Sequence, residues 1–482
     1  MDAPSDRWRL GGTEFGVQVS CFALAALLLG GRRSWTAPRV SDPGLLFLLW
    51  AGGFLVYPSG MWLQGRTSIV GLGAGYIEIV FIAHGLFILT FMSAFLLVSG
   101  RRYWVPPNSN AELLPRGRAL ITVPLAILAA LAVVRFLGSG TLLPESNYGE
   151  SWMATQAQIG SARAGGGVGY VIAQILGKSY FYAILALGVA CGLAAARALQ
   201  GRRGRLRLLA GILAVVLVSQ LMGVTPRSGA LTVGVIALLV ADLITGTVRW
   251  RHVLPAVVVA IFLFTFFGAF RQVADQGLNQ GVARGYQAFS DVENQATASG
   301  EFLLMLRKDA VGAQMFDTQS DGPTHFLQGL TGMVPSQVLP GKLSSPPTDI
   351  LLSRAILGPS AASSGAGVAG SAVADGFRGG GLPGVALSSI LLGSLLGVVY
   401  RWLNRLSIPP ANPPLLRTAL VAGYLALGFS FLRGDFGLMM TLAFYNIVLP
   451  WIVFRLALTG RSAVQWLGPM PSARALTAVD RP

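Results

Sequence analysis

Three side chains in the second half of the chain have the chemistry of a general acid or base. His325 is the only histidine in a long polar stretch, residues 271–381. An imidazole titrates near neutral pH, so it is suited to removing a proton from a hydroxyl group. We predict His325 as the base, with Asp375 or Asp435 as alternatives. The aromatic ring of the adjacent Phe326 is equally compatible with a packed surface histidine.

Six basic side chains are candidates for binding an anionic substrate: Arg227, Arg271, Lys342, Arg354, Arg378 and Arg433. Arginine suits phosphate because its planar guanidinium forms two parallel hydrogen bonds. Arg227 follows Pro226, which fits the first turn of a helix, where free backbone N–H groups attract anions. We predict that Arg227, Arg271 and Arg433, at three ends of apolar stretches, converge on one phosphate-bearing group. Each is also compatible with an interfacial anchor, and Arg433 with a local ion pair to Asp435.

The sequence lacks the common motifs of metal and nucleotide chemistry. It has no GxxxxGKS loop, no HExxH pair and no cluster of cysteine and histidine. The first predicted external loop lacks the paired acidic residues that metal-dependent lipid-sugar transferases place there. We therefore predict no metal ion and no cofactor, and expect cationic side chains to stabilise the developing charge.

Long apolar stretches must position these side chains. The chain has 482 residues, of which 53% are hydrophobic and 12% charged, with a mean hydropathy of +0.62. A run of about 17–25 apolar residues crosses a bilayer as a helix. We predict an all-α polytopic membrane protein with about eleven transmembrane helices, near 15–30, 43–57, 76–99, 119–138, 178–196, 208–222, 229–246, 253–270, 382–400, 416–432 and 436–454.

Arginine clusters on alternate loops set the predicted orientation. The loops 31–42, 101–118 and 197–207 carry three or more arginines each, whereas the short loops of the other set carry one each. Positive charge marks the cytoplasmic side, so the net charge of +16 indicates membrane topology and not nucleic-acid binding. The predicted organisation is helices one to eight in 1–270, a large periplasmic loop in 271–381, helices nine to eleven in 382–460, and a cytoplasmic tail in 461–482.

Three segments of the predicted loop have distinct patterns. Residues 285–318 combine spaced apolar residues with acids and bases, which predicts a helix. Residues 332–346 contain several prolines, which exclude a regular helix. Residues 359–381 are small residues and glycine, so we expect this segment to be flexible or to lie close to a ligand.

Five features occur in order between about residues 205 and 455: residues 225–229 (TPRSG), Arg271, the segment from Pro335 to Lys342, residues 374–381 (ADGFRGGG) and residues 431–436 (FLRGDF). Their order and placement resemble the bacterial oligosaccharide repeat-unit polymerases, the Wzy-type O-antigen and exopolysaccharide polymerases. The chain is more distantly similar to the O-antigen ligases. The resemblance does not extend to residues 1–200.

The resemblance implies a glycosyltransferase of the bacterial inner membrane that polymerises undecaprenyl-pyrophosphate-linked oligosaccharide units at the periplasmic face. Negative charge builds on the bridging oxygen as the pyrophosphate leaves, and preorganised cations lower that barrier. We expect Arg227 and Arg271 to hold the pyrophosphate, with Arg433 or Arg378 as a further clamp. The implied partners are the lipid-linked oligosaccharide, membrane lipid, a chain-length regulator and a flippase.

Three alternatives remain open at this stage. An O-antigen ligase uses the same donor but another acceptor, and a histidine in the long loop is compatible with it. A transporter of polyprenyl-linked sugars would favour two related halves and charged residues deep in the spans. This chain instead has one large asymmetric loop and shallow charges. The remaining alternative is a structural membrane scaffold.

Overall fold

The computed structural model of the protein describes residues 4–32, 42–65, 74–100, 296–332, 348–358, 370–405 and 434–448, with some single positions outside these ranges. Within these ranges every regular element is a helix. The helices are α1 (Pro4–Arg32), α2 (Pro43–Ala51), α3 (Tyr57–Leu63), α4 (Ala74–Ser99), α5 (Ala296–Thr318), α6 (Thr324–Gly332), α7 (Thr348–Leu357), α8 (Ala372–Arg378), α9 (Gly381–Arg405) and α10 (Phe436–Ala443). A π-helical segment, Gly52–Val56, joins α2 to α3, and another, Phe444–Val448, follows α10.

Four helical stretches in the described ranges are long and apolar enough to cross a membrane: Arg7–Gly31, Pro43–Leu63, Gly75–Ser99 and Gly381–Arg405. They coincide with the predicted spans 15–30, 43–57, 76–99 and 382–400, which are confirmed as apolar helices. The architecture is that of a helical membrane protein. The five spans predicted between residues 119 and 270 lie outside the described residues.

The first three apolar helical stretches alternate in direction. Gly11 of α1 packs against Phe81 of α4, and one turn further along α4 Gly85 packs against Gln18, so these two helices are parallel. The second stretch runs the other way, because Gly44 at its start lies beside Phe95. Near its end, the Trp62 ring lies 5.8 Å from that of Phe81.

Helix α9 packs along α4 through two glycines spaced four residues apart. A Cβ added at Gly393 would lie 2.5 Å from the carbonyl oxygen of Phe91, and one at Gly397 would lie 3.0 Å from that of Phe95. Small residues at this spacing let membrane helices approach closely. Both contacts advance in the same direction, so α4 and α9 are parallel. Two membrane spans run in the same direction when an odd number of spans separates them. Five spans are predicted between α4 and α9, which agrees with the parallel direction.

Helix α5 confirms the helical pattern predicted for residues 285–318 over the part that is described. It runs antiparallel to α4, because Asp317 accepts a 3.3 Å hydrogen bond from Tyr76 Oη while Asp309 contacts His84. His84 lies ten residues after Ala74, the first residue of α4. At 1.5 Å per residue this is about 15 Å along the helix. Helix α5, which belongs to the polar stretch, thus contacts the middle of the apolar helix α4.

The described part of the glycine-rich segment before α9, residues 370–381, folds into helix α8 and a turn. The alternative expectation, that the segment lies close to a ligand, stays a prediction. Ser371 caps α8 by accepting hydrogen bonds from the backbone N–H groups of Val373 and Ala374. A tight turn follows, in which Gly380 and Gly381 have φ of 128° and 67°. These values favour glycine because a side chain there would clash with the backbone. The neighbouring Gly376 and Gly379 contact other helices of the protein, so their small size serves internal packing.

Candidate functional site

His325 and Asp375 form a buried pair where helices α6 and α8 meet. The Nε2 atom of His325 lies 2.6 Å from Oδ1 of Asp375, and the two side chains are 10% and 0% exposed. A carboxylate only accepts hydrogen bonds, so Nε2 of the imidazole carries the proton and donates it. The lone pair of a neutral imidazole then lies on Nδ1. This atom is buried and has no hydrogen-bond partner among the described residues.

Two further donors fix the Asp375 carboxylate. The hydroxyl of Thr348, at the start of α7, donates to Oδ1 at 2.6 Å. The backbone N–H of Phe436, at the start of α10, donates to Oδ2 at 2.8 Å. Hydrogen bonds from three helices, α6, α7 and α10, therefore meet at one carboxylate on α8. Such an arrangement fixes the orientation and tautomer of the imidazole.

Arg378 lies one turn after Asp375 on α8, and its guanidinium is directed to protein groups. Nε and Nη2 each lie 2.7 Å from Oδ2 of Asp321. Nη1 donates to the carbonyl oxygen of Pro346 at 2.6 Å and to the hydroxyl of Thr348 at 3.2 Å. Thr348 thus accepts a hydrogen bond from Arg378 and donates one to Asp375. Through these contacts Arg378 helps to hold Thr348 in position beside the His325–Asp375 pair.

Two more carboxylates lie close to Asp375. Asp435 caps α10 by accepting a 2.6 Å hydrogen bond from the backbone N–H of Leu438. Burial, followed by repulsion from Asp375 and opposed by the Leu438 hydrogen bond, raises the pKa of Asp435 to about 7. Burial also raises the pKa of Asp349, in the first turn of α7, and Asp375 adds to this effect. The site is therefore acidic, and Asp435 changes its charge near neutral pH.

A second buried pair lies inside the helix bundle. His84 Nε2 of α4 lies 2.8 Å from Oδ2 of Asp309 on α5, and both side chains are fully buried. Gln18 of α1 donates from Nε2 to His84 Nδ1 at 3.2 Å and to the carbonyl oxygen of Leu55 at 2.9 Å. The hydroxyl of Ser371 donates to the other oxygen of Asp309.

This second pair corrects one argument drawn from the sequence. The chain was expected to have only shallow charges, which counted against a transporter. His84 and Asp309 are ionisable groups enclosed in the bundle interior. The sequence carries a signal for His84, since it stands in the middle of an apolar run, where ionisable residues are functional candidates by default. Thr348 and Asp321 carry no comparable signal.

Of the predicted site residues that the structure describes, four lie together. His325, Asp375 and Arg378 form one cluster, with Asp435 beside it. Arg354 lies in the last turn of α7 and is exposed. The other predicted anion-binding side chains lie outside the described residues: Arg227, Arg271, Lys342 and Arg433.

The chain was compared with protein-family models, curated proteins and solved structures. No protein-family model matches its sequence, and neither a curated protein nor a solved structure is significantly similar to it.

Proposed function

We propose that the protein is a membrane glycosyltransferase that polymerises oligosaccharide units carried on a polyprenyl pyrophosphate at the periplasmic face of a bacterial inner membrane. The observation that carries this proposal is the His325–Asp375 pair. Its geometry suits a general base, because the carboxylate fixes the imidazole and leaves the Nδ1 lone pair without a partner among the described residues.

In the proposed reaction, a hydroxyl oxygen of the acceptor unit attacks the anomeric carbon of the growing chain. The bond between that carbon and the pyrophosphate oxygen breaks, and the lipid pyrophosphate leaves with the electron pair. Nδ1 of His325 takes the hydroxyl proton, and Asp375 stabilises the resulting imidazolium. Three hydrogen-bond donors hold the Asp375 carboxylate in a fixed orientation for this role.

Cationic groups are needed for the leaving pyrophosphate, and we assign them to Arg227 and Arg271, with Arg433 as a further clamp. Lys342 is the fourth candidate. The guanidinium of Arg378 is directed to Asp321, so we give it a supporting part through Thr348. The exposed Arg354 is the least favoured candidate.

The test is a strain that lacks the gene and is complemented with variants of it. We expect the strain to make single units without long polymer, and His325→Ala to fail to restore the polymer. His252→Ala, in the predicted cytoplasmic loop, is the matched histidine control and should restore it. Normal polymer with His325→Ala would overturn the assignment of the base. Polymer that accumulates on the lipid carrier would instead favour the ligase.

A transporter of the same lipid-linked units is the second candidate, favoured by the buried His84–Asp309 pair. Ionisable residues that face the interior of a membrane bundle often mark proton or substrate pathways. The same deletion strain separates the two functions. Single units that reach the outer face of the membrane support the polymerase, whereas units retained on the cytoplasmic face support transport.

A further inference from the structure

A continuous chain of hydrogen bonds connects the bundle interior to the helix that carries Asp375. It begins at Gln18, whose amide nitrogen is a donor only. Nδ1 of His84 must therefore accept the hydrogen bond from Gln18, so that Nε2 of His84 carries the proton. Nε2 donates this proton to Asp309, and Asp309 also accepts from the hydroxyl of Ser371. Every donor and acceptor in this chain has one defined direction.

Ser371 is the link between this chain and the candidate site. Its hydroxyl oxygen caps α8 by accepting from the backbone N–H groups of Val373 and Ala374. Its carbonyl oxygen accepts a 2.9 Å hydrogen bond from the backbone N–H of Asp375. The position of Ser371 therefore fixes the first turn of α8, on which the carboxylate of Asp375 is carried.

A second contact between α5 and α8 adds to this connection. A Cβ added at Gly312, one turn after Asp309, would lie 2.7 Å from that of Ala374. The two helices are thus in contact at Ser371 and again at Ala374, three residues further along. A displacement of Asp309 by an ångström would move α8, because close-packed interiors transmit strain and do not absorb it.

We infer that His84 is a positioning residue for the His325–Asp375 pair, acting through Asp309, Ser371 and α8. This inference rests on the proposed function, since the pair is its base. It explains why a polar network occupies an apolar bundle, although apolar side chains would need no hydrogen-bond partners there. Buried polar pairs specify one arrangement of the helices, which a shared apolar surface does not. Of the side-chain atoms in this network, Gln18 Oε1 alone lacks a partner among the described residues.

The first experiment needs no substrate. The full-length protein, purified in lipid nanodiscs, is labelled with ¹⁵N-histidine, and its three histidines are assigned by substitution. The reporter is the Nε2 proton of His325, whose short hydrogen bond to Asp375 gives a strongly downfield resonance. We expect Ser371→Ala and His84→Leu to shift this resonance upfield and to raise amide hydrogen exchange in α8 at least tenfold.

Conservative variants and a control separate positioning from a general loss of packing. His84→Gln keeps a donor for Asp309 and Ser371→Thr keeps the hydroxyl, so both should restore the His325 resonance. Thr90→Val removes another polar contact of α4, the partly buried one with Ser389, and should leave the resonance unchanged. The inference is overturned by an unchanged resonance in both Ser371→Ala and His84→Leu. An equal shift in Thr90→Val also overturns it.

A second arm keeps this inference distinct from the proposed function. Polymer length is measured in the deletion strain complemented with Ser371→Ala, Ser371→Thr and His325→Ala. Loss of polymer with Ser371→Ala and its return with Ser371→Thr support positioning in catalysis. An altered His325 resonance, together with normal polymer from His325→Ala, would overturn the function while the link between the two pairs stands. An unchanged resonance with polymer lost in His325→Ala would overturn the link alone.

Discussion

Asp375 caps a helix that begins 61 residues after it, because its Oδ2 accepts a 2.8 Å hydrogen bond from the backbone N–H of Phe436. Asp435 accepts a second hydrogen bond at the same helix end, from Leu438. Free N–H groups and the helix dipole stabilise negative charge at this position. One helix end thus supports two carboxylates. Asp375, which accepts hydrogen bonds from three donors, is also the partner of His325.

Replacing Asp375 by Asn should inactivate the protein without unfolding it. The side-chain amide of asparagine has one oxygen and one NH₂ group, so its NH₂ group faces one of the three donors that bind the carboxylate. The imidazole therefore loses its fixed tautomer. We expect the polymerisation rate to fall roughly hundredfold or more, as for other histidine bases that lose their carboxylate. The measurement is polymer formation by purified protein from lipid-linked units. Asp317→Asn, at an exposed position of α5, is the matched control and should retain normal rates.

Replacing Asp435 by Asn should flatten the dependence of stability on pH. The pKa of about 7 lies above the ordinary value of 3.8 for the unfolded chain. The stability that protonated Asp435 contributes is therefore fully present below pH 3.8 and is lost as the pH rises through about 7. We expect the unfolding temperature of the wild type to fall by a few degrees across this window.

Asparagine caps helices as well as aspartate does, so the Asp435→Asn variant keeps the start of α10. Its unfolding temperature should change less between pH 4 and pH 8 than that of the wild type. Thermal unfolding followed in detergent at a series of pH values is the measurement. Identical slopes for the two proteins would contradict the raised pKa.

The close approach of α4 and α9 makes Gly393 intolerant of a side chain. A Cβ at this position would lie 2.5 Å from a backbone oxygen of α4, so one helix must move. Overpacking of this kind costs about 1–3 kcal/mol. We expect Gly393→Ala to lower the unfolding temperature, whereas Gly16→Ala in α1, with nothing within 4 Å of the added Cβ, should not.

Arg227 and Arg271 are expected to bind the pyrophosphate in the proposed function. Changing either to Ala should abolish polymer while single units are still made and the protein still inserts into the membrane. Arg→Lys should restore it only in part, because an ammonium group lacks the two-pronged geometry of guanidinium. Gel analysis of surface polysaccharide is the measurement, with protein level by immunoblot. Full-length polymer from both Ala variants would reject the clamp.

The predicted orientation places residue 320 in the periplasm and residue 407 in the cytoplasm. An alkaline phosphatase fused after residue 320 should be active, because this enzyme requires the periplasm, and one fused after residue 407 should be inactive. A fluorescent protein that folds only in the cytoplasm should give the opposite pattern. Activity of the phosphatase at residue 407 but not at 320 would invert the predicted topology.

The apolar helices could be predicted from the sequence because a bilayer imposes a length and a composition on each span. The types of His325 and Asp375 also made them candidates. Their pairing could not be predicted, since it depends on how α6 and α8 meet across 50 residues of chain. The glycines after residue 370 were ambiguous because small size permits either motion or close packing. Only the neighbouring helices decide between these outcomes.

The π-helical segment Gly52–Val56 has a consequence for how relatives of this chain should be aligned. Pro58 lies two residues after the segment and lacks a backbone N–H, and the carbonyl oxygen of Leu55 accepts from Gln18 and Ser59. One residue more or fewer in this segment turns the rest of the helix by about 100°. A homologue with a single-residue deletion here would present a different set of side chains to α1. Such a gap would therefore mark a protein whose interior contacts differ, however similar its remaining sequence.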